Sequence, residues 1–122
     1  MSRVVHFEIP ADDPERSISF YEKVFGWRFE KWDGPVEYWL ITTGPEDEPG
    51  IDGGLARRTE PDVGVENTID VKNLNESLVS VEVNGGKVIR PMMAVPGVGW
   101  MAYIKDTEGN IFGLMESDQE AA

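Results

Sequence analysis

The two halves of the chain repeat the same order of secondary-structure signals. The first half opens with "RVVHFEIP", where Val5, Phe7 and Ile9 alternate with polar residues before a helical stripe that ends at Gly26. The second half opens with "ENTIDV", and its helical stripe ends at "NGG". Three strand-like stretches follow the helix in each half. The pattern predicts one strand–helix–strand–strand–strand unit used twice, which constrains the fold more than any single motif does.

Both predicted helices carry start signals. Asp13 precedes Pro14, which is an N-cap residue followed by proline at the first helical position. Asn73 has Glu76 three residues later, in the form of a capping box with Asn in the Ser/Thr position. The first strand-like stretch after a helix begins at Trp27. The others are Glu37–Thr43, Ile51–Ala56, Lys87–Arg90, Trp100–Lys105 and Ile111–Glu116.

The repeat predicts an α+β fold in one domain spanning residues 1–122. Its two βαβββ modules cover about 1–58 and 63–118, and we expect them to form a curled mixed sheet with a concave cup. Each helix must cover the apolar face of its own sheet, so the opposite face carries His6, Glu8, Thr68 and Asp70. Polar groups that converge in an otherwise apolar cup are typical of a small-molecule site.

The stretch "KDTEGNIFGLMES" allows two interpretations, a cation-binding loop or a hairpin turn. Asp106, Glu108 and Asn110 alternate around Gly109, but an EF-hand loop needs about twelve residues and a distal bidentate Glu. A short connection with Gly and Asn between apolar runs is typical of a hairpin, since both residues tolerate positive φ. We therefore predict a turn.

Composition excludes several classes of protein. The chain has no cysteine, which excludes disulfides, thiolate catalysis and Cys-based metal sites. Its 23 acidic and 11 basic residues give a formal net charge of −12, which a duplex or an anionic membrane would repel. No apolar run reaches membrane-spanning length, and the N-terminus lacks signal-peptide features. We expect a cytoplasmic protein with no nucleic-acid or membrane partner.

The repeated βαβββ unit, together with "VVHFEIPADDPERSISFYEKVFGW" and "DTEGNIFGLME", resembles the vicinal oxygen chelate superfamily. This group includes glyoxalase I, extradiol dioxygenases, fosfomycin-resistance enzymes and bleomycin-binding proteins. The resemblance covers nearly the whole chain. It implies a sheet cup built from paired modules, commonly completed by dimerisation, and we expect a homodimer. It does not by itself imply a reaction, since one fold hosts many functions.

The resemblance also implies where a metal would be held. Metal enzymes of this family place His and Glu ligands on the first and last strands of each module. His6 matches one such position, whereas Thr68, Gly54 and Gly113 stand at the other three. A divalent metal needs three or more protein donors. We therefore expect no cofactor; the alternative is a metal held by His6 with ligands at other positions.

Candidate roles follow for seven residues. We assign catalysis to His6 and Glu8, because an imidazole titrates near neutrality and can act as a general base; the alternative for His6 is a hydrogen-bonded polar residue. We assign ligand binding to the following residues: Thr68, Asp70, Trp100, Gly54 and Gly113. The two glycines would leave room for a substrate, or would mark a bulge or a close backbone approach.

Two further features leave alternatives open. The aromatic residues Tyr38, Trp39, Trp100 and Tyr103 suit core or interface positions, but on the third and seventh strands alternate ones must face the cup. The segment "RPMMAVPGVGW" (90–100) is a loop or a rim that adapts to a ligand.

Three functions fit these observations, and each has a small-molecule ligand. The first is a metal-free lyase or isomerase, and the second is a non-catalytic binding or resistance protein. The third is a metal-dependent lactoylglutathione lyase-like enzyme or dioxygenase with relocated ligands. The sequence does not indicate the ligand, and it has no phosphate-cradling Gly loop, nucleophile elbow or HExxH motif.

Overall fold

The computed structural model describes residues 2–122, which contain eight strands and two helices. In chain order these are β1 (Val4–Ala11), α1 (Pro14–Phe25), β2 (Arg28–Lys31), β3 (Trp39–Thr42), β4 (Asp52–Arg57), β5 (Glu66–Asp70), α2 (Leu74–Val83), β6 (Lys87–Val95), β7 (Gly99–Lys105) and β8 (Ile111–Ser117). The predicted order of elements is confirmed in both halves. No helix within residues 2–122 is long and apolar enough to span a membrane.

The chain divides into two compact units, which share one strand topology. The first unit is His6–Val65, with the strand order β2-β3-β4-β1. The second unit comprises residues 2–5 with Glu66–Ala122, and its order is β5-β8-β7-β6. In each unit the first strand pairs in parallel with the last, and the other neighbours are antiparallel. The predicted α+β class with mixed pairing is confirmed.

The first unit is organised by α1 and one apolar strand face. The Asp13 carboxylate accepts the backbone N–H of Arg16 at 3.2 Å, and Gly26 ends the helix with φ of 72°, as predicted. The core contains Ile9, Ile41 and Leu55 at its centre. The partly buried residues packed on it are Phe7, Ile18, Tyr21, Trp27, Phe29 and Trp39. Because Phe7 and Ile9 face this core, His6 and Glu8 face away from it.

The second unit has the corresponding arrangement around α2. The Asn73 side chain accepts the backbone N–H of Glu76 at 3.0 Å, which confirms the predicted N-cap. The core consists of Val71, Leu74, Ala102, Ile104 and Leu114. Leu114 and Ala102 are partners in the β7–β8 ladder, so the residues on either side of them in these strands point to the opposite face.

Strand β6 is longer than the sequence predicts. It continues from Lys87 through Pro91 to Val95, so most of the segment 90–100 is strand, with a turn at 96–98 before β7 begins at Gly99. The β6–β7 register shifts between Val88 and Arg90, and again between Arg90 and Met93. β6 stands at the end of the strand order of its unit. Proline lacks an N–H and is tolerated at such edges and irregularities, which explains how the strand passes Pro91.

The connection between β7 and β8 is the predicted hairpin turn. The Asp106 carboxylate accepts the backbone N–H groups of Glu108 (2.8 Å) and Asn110 (2.9 Å), and its other oxygen accepts the Asn110 side-chain amide at 2.9 Å. The Asn110 side chain, followed by these backbone donors, lowers the pKa of Asp106. Gly109 has φ of 87°, which suits glycine in a tight turn.

Candidate functional site

Strand β1 presents His6 and Glu8 side by side on the face away from the helix. They are two residues apart, so their side chains leave the strand in the same direction. In the β1–β4 ladder His6 is the partner of Asp52 and Glu8 is the partner of Gly54. The side chains of His6 and Glu8 are 30% and 25% exposed, so both are desolvated in part and still accessible to a ligand.

The Tyr38 hydroxyl lies between these two side chains. It is 2.9 Å from His6 Nε2, and it donates its hydrogen bond to Glu8 Oε2 at 3.1 Å. His6 Nε2 and Glu8 Oε2 are themselves 3.8 Å apart. A phenol has one proton and an ionised carboxylate can only accept, so His6 Nε2 must be the donor to Tyr38. In the neutral ring, Nδ1 then carries the lone pair that can take up a proton.

Gly54 makes the position of Tyr38 sterically accessible. A Cβ atom built on Gly54 would overlap the hydroxyl and ring of Tyr38. The room that the missing side chain leaves is therefore filled by the Tyr38 phenol. The Tyr38 phenol thus lies in the space that was expected for a substrate, and a ligand role for Gly54 stays a prediction.

Neighbouring contacts fix the segment that carries Tyr38. The Trp32 backbone N–H donates to the Tyr38 carbonyl at 2.8 Å, and the two rings meet edge to face with centroids 6.0 Å apart. Glu37, the preceding residue, forms an ion pair with Arg57 at 3.0 Å. These contacts hold the Tyr38 side chain next to Gly54. The sequence predicts that alternate aromatic residues here face the cup; Trp39 packs against the core, and Tyr38 lies on the other side.

In the second unit, Thr68 and Gly113 are partners in the parallel β5–β8 ladder. Thr68 is 3% exposed, and a Cβ atom on Gly113 would lie 3.1 Å from its hydroxyl oxygen. The same Cβ atom would lie 2.7 Å from the terminal methyl of Met101 and 3.4 Å from the Tyr103 ring. The space beside Gly113 is therefore also filled, largely by a flexible methionine. A ligand role for Thr68 and Gly113 stays a prediction.

The other two predicted ligand residues of this unit are placed differently. Asp70 is exposed, and its backbone N–H donates to the Arg3 carbonyl at 2.9 Å. Trp100 packs against the helix-side core, and its indole N–H donates to Asp118 at 3.1 Å. Its ring thus lies on the opposite sheet face from Gly113. Gly113 pairs with Tyr103, which is three residues from Trp100 on β7, and successive side chains of a strand alternate between the two faces. A ligand role for Asp70 and Trp100 stays a prediction.

The side chains present do not match the His and Glu donor set of metal-dependent relatives. Within residues 2–122, no three His, Cys, Asp or Glu side chains are grouped so that they could hold a metal ion. His6 and Glu8 supply two donors, and the positions Thr68, Gly54 and Gly113 supply no imidazole or carboxylate. A divalent site needs more donors than this pair provides.

Comparison with known proteins identifies the family. The chain is 33% identical over 112 residues to a glyoxylase-like domain-containing protein of Didymella fabae, with 88% of each sequence covered. The chain belongs to the glyoxalase-like family. A family model described as bleomycin resistance protein-like N-terminal matches residues 3–44 of this glyoxalase-like protein, the stretch that carries His6, Glu8 and Tyr38. The resemblance to the vicinal oxygen chelate superfamily is thereby confirmed.

Solved structures share the glyoxalase-like fold. A hypothetical protein from Bacillus halodurans superposes with a TM-score of 0.73 at 15% identity, covering 99% of this chain and 98% of its own. A methylmalonyl-CoA epimerase in complex with methylmalonyl-CoA and NH4+ superposes with a TM-score of 0.70 at 15% identity, covering 100% and 99%. At these identities the likeness establishes the architecture alone.

Proposed function

We propose that this glyoxalase-like protein binds a small carbonyl-bearing molecule beside His6, Tyr38 and Glu8, and transfers a proton on it without a resident metal. These three side chains form the His6–Tyr38–Glu8 network. The observation that carries the proposal is the Tyr38 hydroxyl, which is hydrogen-bonded to both a potential base and a carboxylate. Such a connected set is the arrangement that general acid–base catalysis requires.

Each member of the network has a defined task. His6 is the base, because an imidazole is the side chain whose ordinary pKa lies closest to neutrality. Glu8, 3.8 Å from His6 Nε2, stabilises the imidazolium that forms when the base takes up a proton. Tyr38 connects the two and fixes which nitrogen of His6 carries hydrogen. Positioned proton transfer of this kind contributes about 10²–10⁴-fold to a rate.

The structural neighbours support the substrate class. Methylmalonyl-CoA, present in one epimerase structure, is a thioester with an acidic C–H next to its carbonyl group. For the present chain we take over only this chemical feature: the proposed substrate has a C–H bond that an adjacent carbonyl group makes acidic. Metal-free handling of such a compound agrees with the donor set, which offers a base and a carboxylate but no three-donor metal group within residues 2–122.

Deuterium exchange tests the proposal. The purified protein is incubated in D2O with methylmalonyl-CoA or with phenylpyruvate, and mass spectrometry measures deuterium next to the carbonyl against a protein-free sample. We expect exchange that falls by about 10²-fold or more in His6→Asn, since the base is lost. Tyr21→Phe, which removes a hydroxyl from α1 outside the network, should retain the wild-type rate. Exchange that is unchanged in His6→Asn contradicts the proposal.

A second candidate function is binding without chemistry. The match to the bleomycin resistance protein-like model over residues 3–44 favours it, because that stretch contains the whole network. Calorimetry separates the two candidates. A probe that binds with a measurable Kd and exchanges no deuterium above the protein-free rate indicates a sequestering protein.

A further inference from the structure

We propose that Met93, Met101 and Met115 bind a soft monovalent metal ion of the Cu(I) class through their thioether sulfurs. The three residues lie on β6, β7 and β8 of the second unit, and together they form the methionine row. The proposal does not depend on the His6–Tyr38–Glu8 network, because it uses other residues and a different class of ligand.

The strand register places the methionine row on one face of the sheet. Met93 is the partner of Met101 in the β6–β7 ladder, and Met101 is the partner of Met115 in the β7–β8 ladder. Directly opposed residues of antiparallel strands point to the same face, with Cβ atoms about 4.5–5.5 Å apart. Ala102, the neighbour of Met101, belongs to the core that packs against α2. The row therefore lies on the face that points away from this helix.

The side chains of Met101 and Met115 both lie between β7 and β8. The sulfur of Met115, on β8, is 3.1 Å from the place that a Cβ atom on Gly99 of β7 would take. The terminal methyl of Met101, on β7, is 2.7 Å from the corresponding place on Gly113 of β8. Each thioether thus reaches across to the other strand. A methionine side chain has three rotatable bonds, so the third thioether, that of Met93, can lean towards these two.

The burial of the row differs from strand to strand. Met101 is 7% exposed, whereas Met93 is 55% exposed on β6, the strand at the end of the order. An incoming ion can therefore meet the accessible thioether of Met93 first. It then loses its water as it passes to the buried thioether of Met101, so the row provides both an entry point and a dry inner donor.

The chemistry of the donors selects the kind of ion. A thioether is a polarisable, soft donor, and such donors favour Cu(I) over the hard cations that oxygen ligands hold. A thioether is also neutral, so it does not compensate the charge of the ion, and a buried single charge costs less than a double one. The chain has no cysteine, so no thiolate competes for a soft ion. Its formal net charge of −12 attracts cations in general.

Titration with Ag(I), a redox-inert probe of Cu(I)-type sites, tests the proposal. Protein labelled with 13C in its methionine methyl groups is titrated with silver nitrate in chloride-free buffer, and NMR follows these methyls and the His6 ring. We expect one equivalent to shift the methyl signals of Met93, Met101 and Met115 together. Met92, which falls within the register shift of β6, is the internal control and should not respond. Shifts confined to Met92 or to the His6 ring overturn the proposal, as do equal shifts of the row with Zn²⁺.

Leucine variants separate a donor role from packing. Leucine replaces methionine at little cost in stability but supplies no sulfur. Met101→Leu should weaken Ag(I) binding, measured by calorimetry, by about 10-fold or more, since the loss of a group that only supports a metal ligand already costs about 10–100-fold. Met93→Leu, at an exposed position, should weaken binding as well, and it keeps the test decisive if the buried substitution unfolds the protein. Met92→Leu should retain the wild-type affinity. Anaerobic competition for Cu(I) with bicinchoninate should rank the proteins in the same order. Wild-type affinity in both row variants, or an equal loss in Met92→Leu, overturns the proposal.

Discussion

Gly54 and Tyr38 share one volume, because the phenol of Tyr38 lies where any side chain on Gly54 would have to be. The hydroxyl that occupies this place is hydrogen-bonded to His6 at 2.9 Å and donates to Glu8 at 3.1 Å. The hydrogen-bonded network on β1 therefore requires a residue without a side chain at position 54 of β4. Gly54 contributes by admitting the Tyr38 phenol, and the space beside it is not empty.

Substitution of Gly54 by alanine tests this relationship. The new Cβ would overlap the Tyr38 ring, so Gly54→Ala should displace the phenol, break both of its hydrogen bonds and reduce the unfolding free energy by about 1–3 kcal/mol, the usual cost of overpacking. Urea denaturation measures the loss of stability, and NMR of His6, the one histidine of the chain, reports the changed environment. Gly64→Ala is the matched control, because a Cβ there meets nothing within 4 Å. Equal losses of stability in Gly54→Ala and Gly64→Ala would contradict the overlap between a side chain at position 54 and the Tyr38 phenol.

The two glycines on the β7–β8 ladder are expected to differ in their tolerance of a side chain. A Cβ on Gly113 meets the flexible end of Met101 at 2.7 Å, which can move aside, whereas a Cβ on Gly99 would overlap the backbone carbonyl of Glu116, which cannot. Gly113→Ala should therefore reduce the unfolding free energy by about 1 kcal/mol or less, and Gly99→Ala by about 3 kcal/mol. Urea denaturation compares them, and a larger loss for Gly113→Ala would contradict this explanation.

The helix boundaries and the composition of the two faces follow from local sequence. Asp13 before Pro14 sets the start of α1, and Gly26 sets its end, because capping depends on residues only a few positions apart. Alternation likewise assigns His6 and Glu8 to the face opposite Phe7. These features were predictable because each rests on neighbouring residues.

The candidate network was not predictable in full, because its central contacts join distant residues. Tyr38 lies outside the bounds of β3 and is 32 positions from His6 and 30 from Glu8. Its approach depends on the β1–β4 register, which places Gly54 beside Glu8, and no local pattern specifies that pairing. The continuation of β6 past Pro91 depends in the same way on its pairing with β7.

We predict that divalent metals do not stabilise the wild-type protein. His6 and Glu8 provide two donors, and a site that bound Zn²⁺ or Mn²⁺ at one hundred times its Kd would add about 2.7 kcal/mol of stability by mass action. Thermal unfolding with about 1 mM of either ion should therefore give the Tm of the EDTA-treated sample. A rise of several degrees that EDTA reverses would contradict the prediction and favour the metal-dependent alternative.

A symmetric homodimer is the expected assembly. Phe20, Val24 and Phe25 on α1 are 55%, 56% and 58% exposed, and neighbouring apolar side chains of this size favour burial against a partner. Light scattering at micromolar concentration should give about twice the chain mass of 13.6 kDa. Phe20→Glu with Phe25→Glu should shift the protein towards monomer, whereas Val79→Glu, at a position on α2 that is 64% exposed, should not. A monomer mass for the wild type would contradict the prediction.

The hairpin carboxylate of Asp106 should give the protein a measurable pH dependence. Its pKa in the folded state is lowered, chiefly by the Asn110 side chain and then by backbone donors of the turn, so the ionised form favours folding. That contribution to stability is fully present above the unfolded pKa of 3.8 and is lost as the pH falls through the lower folded pKa.

Asp106→Asn should therefore have a lower Tm than the wild type at pH 7, and the difference in Tm should narrow as the pH falls below about 3.8. Glu108→Gln removes one charge from the same turn without touching the carboxylate that accepts these bonds, and so controls for net charge. Calorimetry across this pH range measures the difference, and a gap that stays constant or widens in acid would show that the Asp106 charge does not stabilise the turn.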